Sequence, residues 1–167
     1  MSSQFTGVDH YPQFKYLEDN WKTILAEYTS IKDMTFNWPE PDLYNEGWTI
    51  LPIRFKGMEI KEIQDACPFT TSAVNTIPNI VNAGFSILQS GTVIYPHTGY
   101  TEEVLRVHLG LVCPRGAWIK VGDEKSEWQE GKVFVFDDTI LHEAQNNSDT
   151  PRVILLLDFI KNHKDLN

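Results

Sequence analysis

Cysteine is scarce. Only Cys67 and Cys113 occur in 167 residues, far apart and without a secretory leader. Two such thiols read as reduced, buried small hydrophobes of a cytosolic protein rather than as a disulfide framework. Long apolar runs are missing as well. The longest, Val153 to Leu157, is bounded by Arg152 and Asp158, whereas a membrane-spanning helix needs about 20 apolar residues. Met1 to His10 is polar and has no apolar signal-peptide core. Positive charge is in deficit, with 14 Lys+Arg against 23 Asp+Glu, a net charge of -9 and no three adjacent basic residues. Phosphate backbones and anionic lipid would be repelled, so neither a nucleic-acid nor a membrane partner is expected. Glycine and proline, at 10 and 9 residues, are too few for a collagenous or low-complexity chain. What is present suits a soluble cytoplasmic protein. Hydrophobic residues make up 41% of the chain, and a chain of this length buries roughly 70% of its unfolded surface without a disulfide or structural metal.

Phe14, Leu17, Trp21, Ile24, Leu25 and Tyr28 recur at helical spacing, so this segment reads as an amphipathic helix. Trp38-Pro39-Glu40-Pro41 is a rigid extended loop, Trp48 to Phe55 reads as a strand, and Ile60 to Ile77 as one or two short helices interrupted at Pro68. From Asn82 onward, β-rich runs follow one another: 83–89, 92–95, 104–112, 117–121, 132–136 and 152–160. Turn signals such as Ser90-Gly91 and Gly122-Asp123 separate them, the pattern of a sandwich or barrel. With no repeat or linker, residues 1–167 are expected to form a single domain, with helical padding over about 12–80 and a β-core over about 82–160. Oligomeric state leaves no trace in the sequence.

Two strands alternate in an informative way. Arg106, His108 and Gly110 share one face of a strand whose other face is Leu and Val, and Arg152, Ile154, Leu156 and Asp158 share a face opposite Val153, Leu155 and Leu157. The polar faces either line a cavity or meet solvent. Of five histidines, His10 and His163 sit in polar terminal segments and read as solvated, while His97, His108 and His142 fall in the β-region. His97 and His142, on neighbouring strand ends, suit one metal ion held through neutral imidazoles. The carboxylate that usually completes a 2-His-1-carboxylate iron triad would stand at position 99, which is glycine. Arg152, ten residues beyond His142, and Arg106 offer planar forks for carboxylates. Two arginines and His108 around a two-histidine metal suit an anionic, iron-chelating co-substrate, namely 2-oxoglutarate.

Ser90-Gly91-Thr92 through Pro96-His97-Thr98-Gly99, then Leu105 to Leu111, Trp128 to Lys132, Phe136-Asp137-Asp138-Thr139 with His142-Glu143, and Arg152 followed by Leu156-Leu157-Asp158 resemble the aspartyl/asparaginyl β-hydroxylase family in order and spacing. The resemblance covers roughly 42–160 and extends to Leu17-Glu18-Asp19-Asn20-Trp21 and Asp42-Leu43-Tyr44-Asn45, which look like the bacterial and fungal single-domain members. It implies a double-stranded β-helix (jelly roll) and an Fe(II)- and 2-oxoglutarate-dependent dioxygenase that consumes O2. It carries the iron ligands onto His97 and His142, and the 2-oxoglutarate contacts onto Ser86, Arg106, His108 and Arg152. Asp138 matches an acidic residue that would hold an iron-bound water, and Gly99 agrees with a family that lacks the carboxylate ligand. Gln145 departs from the aromatic residue that many members carry there, and the lumenal repeats and membrane anchor of the animal members are not expected here.

The substrate class remains open among a free or peptidyl amino acid, a carrier-bound aminoacyl group, an acyl chain and a secondary metabolite. Desaturation, epoxidation or rearrangement at the same iron, a non-catalytic jelly-roll binding module, and a zinc hydrolase are the alternatives weighed. The five tryptophans read as packing residues, Asp137 and Asp138 as a possible turn pair, and Tyr100, Glu102 and Glu103 as either substrate contacts or solvated loop.

Overall fold

The computed structural model describes residues 3–161; His163 lies outside the described residues. The amphipathic N-terminal segment forms two helices rather than one, α1 (Lys15–Asp19) and α2 (Trp21–Ile31). The break falls at Asn20, whose side-chain amide donates to the Tyr16 carbonyl at 2.8 Å, a local bond that competes with helix propagation. Strand β1 (Phe36–Asn37) is short, and β2 (Trp48–Phe55) matches the expected strand. A tight turn leads to β3 (Met58–Glu59), and α3 (Lys61–Ala66) and α4 (Pro68–Asn75) follow, divided at Pro68 as its fixed φ predicts. The Glu27 carboxylate on α2 accepts from the Phe69 and Thr70 backbone N–H groups and the Thr70 hydroxyl, satisfying orphan donors at the start of α4.

The β-region contains β4 (Ile80–Leu88), β5 (Val93–His97), β6 (Val104–Val112), β7 (Ala117–Val121), β8 (Glu124–Glu127), β9 (Val133–Phe136), β10 (His142–Asn146) and β11 (Arg152–Ile160). Strands β8 and β10 are absent from the pattern of apolar runs. Glu-Lys-Ser-Glu and His-Glu-Ala-Gln-Asn have little strand preference of their own, and pairing with β7 holds both. From β4 to β11 the chain passes back and forth between a large sheet, ordered β1-β2-β4-β11-β6-β9 with β3 beside β2, and a small sheet, β5-β10-β7-β8. All named pairs are antiparallel. This is the expected jelly roll.

The alternation in β6 and β11 resolves in favour of a cavity. Their apolar faces, Leu105, Val107, Leu109, Leu111, Val153, Leu155 and Leu157, are buried with Phe14, Leu17 and Ile24 of the N-terminal helical segment. The polar faces look inward, toward the small sheet. Register then sets side chains in rows across the large sheet: Asn82–Asp158–Arg106–Phe136, two residues on Gly84–Leu156–His108–Phe134, then Ser86–Ile154–Gly110, and last Trp48–Leu88–Arg152. Each row is one pleat deeper than the one before. Near the chain's start, Thr6 and Val135 exchange backbone hydrogen bonds, which covers the free edge of β9. Among the described residues no helix is long and apolar enough to cross a membrane.

Candidate active site

His97 ends β5 and His142 begins β10, and the pairing of these strands sets the two directly opposite each other. Their ring centroids lie 4.3 Å apart. Each ring turns Nδ1 to the carbonyl two residues earlier, His97 to Tyr95 at 2.7 Å and His142 to Ile140 at 2.8 Å. Donating Nδ1–H to a carbonyl leaves Nε2 as a lone-pair donor, the usual arrangement around a metal-ligating histidine. Burial pulls the His142 imidazolium down to about 4, so this ring is neutral near pH 7. No cluster of three or more His, Cys, Asp or Glu able to hold a metal occurs among the described residues. The pair can therefore supply two protein ligands.

Position 99 explains itself sterically. The Gly99 N–H donates to the Asp138 carbonyl at 2.7 Å, and a Cβ on residue 99 would run into the Asp138 carboxylate. The volume that a ligating side chain at 99 would need is filled by a carboxylate arriving from the turn before β10. Asp138 is 4% exposed, and its Oδ1 has no hydrogen-bond partner. Burial pushes its carboxyl up, against the opposing pull of Arg106. Asp137, by contrast, accepts from the Thr139 N–H and hydroxyl, so it shapes the turn.

Across the cavity, His108 Nδ1 accepts from the Trp128 indole N–H at 3.0 Å. That bond assigns the remaining proton to Nε2, which has no partner. Burial holds His108 well below its ordinary range, so it is a neutral donor aimed into the pocket. Deeper still lies Arg152, 2% exposed. Its Nη2 donates to the Ser86 carbonyl at 3.1 Å and hydroxyl at 3.0 Å, and its guanidinium stacks 4.4 Å over Trp128. Its Nε has no partner, and no carboxylate pairs with it among the described residues. Burial without an anion drags this guanidinium down to about 9. Ser86 also accepts from the Trp48 indole at 3.0 Å. Arg106 is held differently. Its Nε and Nη2 fork the Asp158 carboxylate at 2.8 and 3.0 Å, and Nη2 lies 3.8 Å from Asp138. Those carboxylates push its guanidinium upward against its desolvation.

All seven residues singled out from sequence converge on one region. Ser86, His97, Arg106, His108, His142 and Arg152 line one pocket between the sheets, and Asp138 meets it through Gly99 and Arg106. Tyr100 stands outside, 72% exposed, with the Lys56 ammonium over its ring. Trp48 and Trp128, read from sequence as packing residues, and Asp158, given no role there, hold Ser86, His108 and Arg106 in place. Their signal was present: a buried indole N–H and a carboxylate on an inward strand face each need a partner.

Known proteins resemble this chain in sequence and in fold. The model of the family described as aspartyl/asparaginyl beta-hydroxylase matches residues 18–162. An ornithine lipid ester-linked acyl 2-hydroxylase from Rhizobium tropici is 43% identical over 110 residues, 63% of this chain and 39% of that protein. The human aspartyl/asparaginyl beta-hydroxylase is 32% identical over 154 residues, 86% of this chain and 20% of that protein. The chain thus spans well under half the length of either relative. Among solved structures, a Pseudomonas putida prolyl-4-hydroxylase superposes with TM-score 0.58 at 14% identity, covering 87% of this chain and 88% of that one. The epimerase SnoN superposes with TM-score 0.61 at 11% identity, covering 86% and 72%. Both are jelly-roll oxygenases in fold, and the family match over most of the sequence settles the kinship: this chain belongs to the aspartyl/asparaginyl beta-hydroxylase family.

Proposed function

We propose that this protein is an Fe(II)- and 2-oxoglutarate-dependent dioxygenase that hydroxylates an unactivated C–H bond of an amino-acid-like or biosynthetic small molecule. The observation that carries the reading is Arg152: a buried cation with no anion and an orphan Nε is poised to receive a carboxylate. 2-Oxoglutarate has a carboxylate for that depth and a second carboxylate and keto oxygen for the metal end. His97 and His142 would hold the iron, leaving its other positions to water and 2-oxoglutarate. When bound, the iron with 2-oxoglutarate and O2 supplies oxidative decarboxylation to succinate and CO2 and places the second oxygen atom in a C–H bond.

The chain's own residues do the rest. Arg152 and the Ser86 hydroxyl bind and orient the distal carboxylate, as charge-assisted forks do. His108 offers its Nε2–H to the metal-proximal end, and Trp128 fixes the tautomer that makes this possible. Arg106, which the family resemblance assigns to 2-oxoglutarate, would hold its cation at the metal end, braced by Asp158 and beside Asp138, whose free Oδ1 would accept from a water on the iron. Ile94, Ile119, Phe136 and Leu156 line the pocket and exclude bulk water. The relatives are named for hydroxylating acyl and aspartyl or asparaginyl groups, which supports hydroxylation as the outcome. The free thiols Cys67 and Cys113 support a reducing, cytoplasmic setting, and residues 1–167 are read as one catalytic domain. The test is anaerobic reconstitution with Fe(II), then exposure to O2 with 2-oxoglutarate and a panel of amino-acid, peptide and acyl compounds, reading succinate. One iron per chain and 2-oxoglutarate-dependent succinate, both lost in His97→Ala and His142→Ala, are expected. Succinate formation that survives either change refutes the reading.

A further inference from the structure

Asn82 lies on the inward face of β4, in one row with Asp158, Arg106 and Phe136. The ladder slips on both sides of it: Asp158 pairs with Asn82 but Phe159 with Ile80, and Gly84 pairs with Pro52 but Ala83 with Arg54. An extra residue of this kind bends a strand and re-aims its side chains, and such irregularities gather next to active sites. Here Asn82 is turned toward two partners at once. Its Oδ1 accepts from the Lys56 N–H at 2.8 Å, and its Nδ2 donates to Asp158 Oδ2 at 2.9 Å. The Lys56 contact fixes which way the amide points: an N–H must meet the oxygen, so the NH2 group faces the carboxylate. The β2–β3 turn that supplies this N–H is itself anchored. Lys56 and Gly57 sit at φ 49 and 77, as a two-residue hairpin turn requires, and the Gly57 N–H donates to the Val81 carbonyl at 2.9 Å.

Asp158, 1% exposed, takes both Nε and Nη2 of Arg106. Its Oδ2 is thus shared between Arg106 Nη2 and Asn82 Nδ2, at 3.0 and 2.9 Å. A second buried carboxylate competes for the same guanidinium. Asp138 Oδ2 stands 3.8 Å from Nη2, and a shift of about 1 Å would close that gap to a hydrogen bond. We infer that Asn82 is a positioning residue: its amide pins Asp158, so that Arg106 keeps its Nε–Nη2 edge on that carboxylate and its Nη1 end for an anion in the pocket. This rests on the dioxygenase reading, in which that anion is the metal-end carboxylate of 2-oxoglutarate. Without the amide, the Asp158 carboxylate is free to turn, and Arg106 divides its time between two carboxylates. The cation then meets the co-substrate out of place, and misplacement by about 1 Å can cost about 100-fold in rate.

The test reads Arg106 directly and then through its ligand. In the metal-free protein the Arg106 Nε–H should give a slowly exchanging NMR signal, assigned by its loss in Arg106→Met. Asn82→Leu should speed its exchange with water at least about tenfold, while the Trp48 and Trp128 indole N–H signals keep their rates. Asn45→Leu removes a bridging amide at the end of β5 away from His97 and should leave the Arg106 signal alone. In the Mn(II)-loaded protein, Asn82→Leu should weaken calorimetric 2-oxoglutarate binding about five- to twentyfold, the effect of losing a hydrogen bond to a charged group. Oxalate, which chelates the metal but is too short to reach Arg152, should lose as much. The loss must run through Arg106: in the Arg106→Met background, the same substitution should change 2-oxoglutarate affinity less than about twofold. Should Asn82→Leu not fold, Asn82→Ala replaces it throughout. An Arg106 signal that is fast in the parent or unchanged in Asn82→Leu overturns the inference. So does a loss of affinity that is absent, that spares oxalate or that persists in full beside Arg106→Met. Equal loosening of Arg106 by Asn45→Leu, or of the indole signals by Asn82→Leu, overturns it as well. If 2-oxoglutarate does not bind the parent, the dioxygenase reading fails, and the exchange of the Arg106 signal alone decides for or against Asn82.

Discussion

Replacing Arg152 by methionine should leave the empty protein no less stable and abolish its hold on 2-oxoglutarate. The native guanidinium is buried without an anion and drawn down to about 9, and keeping an unpaired charge out of water costs several kcal/mol. Against it stand the stack on Trp128, worth about 2 kcal/mol when desolvated, and two hydrogen bonds to Ser86, about 1 kcal/mol each. The balance is near zero or slightly adverse, and methionine fills much of the volume while keeping contact with the indole. Urea unfolding of the metal-free protein should therefore place Arg152→Met within about 1 kcal/mol of the parent, or above it. Ligand binding should respond in the opposite way. Losing the cation from a buried carboxylate pair costs about 2–5 kcal/mol, so calorimetric affinity of the Mn(II)-loaded protein for 2-oxoglutarate should fall at least about thirtyfold. Arg152→Lys keeps the charge but loses the fork, and an intermediate loss of about tenfold is expected. A variant destabilised by more than about 3 kcal/mol with unchanged 2-oxoglutarate affinity would mean that Arg152 is a structural brace, and the argument would fail.

Asp138→Asn preserves the turn but not the charge, so coupled activity should drop about 10–100-fold, with 2-oxoglutarate consumed out of step with product; full coupling in that variant would leave Asp138 only a turn residue. Trp128→Phe removes the donor that fixes the His108 tautomer, and the KM for 2-oxoglutarate should rise while kcat changes less; equal loss in both points to collapse of the pocket wall instead. The metal-free protein should lose stability as pH falls from about 6.5 toward 4. His142 stays neutral when folded, with its pKa lowered to about 4, while the unfolded chain takes up a proton near 6.5. The loss should approach about 3 kcal/mol by pH 4, and urea midpoints at pH 7 and 5 should separate for the parent more than for His142→Gln.

The fold was legible where side chains alternate. Strands β6, β11 and β2 stand where their apolar–polar pattern puts them, because one face meets the helical layer and the other the cavity, and β7 does so because its apolar face meets the cavity side. Arg106, His108 and Arg152 were legible for the same reason, whereas Ser86 and Asp138 entered only through the family resemblance. Strands β8 and β10 were not, since Glu124–Glu127 and His142–Asn146 owe their conformation to partners distant in sequence. The state of Arg106 was also hidden. Two arginines on inward faces look alike in sequence, and only the register that sets Asp158 beside Arg106 distinguishes the neutralised one from the free one.

The rows of the large sheet tie binding to folding at the level of single-residue deletions. Arg152 and Asp158 occupy one face of β11, and Val153, Leu155 and Leu157 the other. Loss of one residue between them would turn every following side chain over, sending a leucine into the pocket and a polar group into the helical layer. No such change can damage the site and spare the core, or the reverse. Heritable variation that alters what the pocket accepts is thereby channelled into point substitutions on inward faces and into the 98–103 loop beyond His97, which carries no register to break.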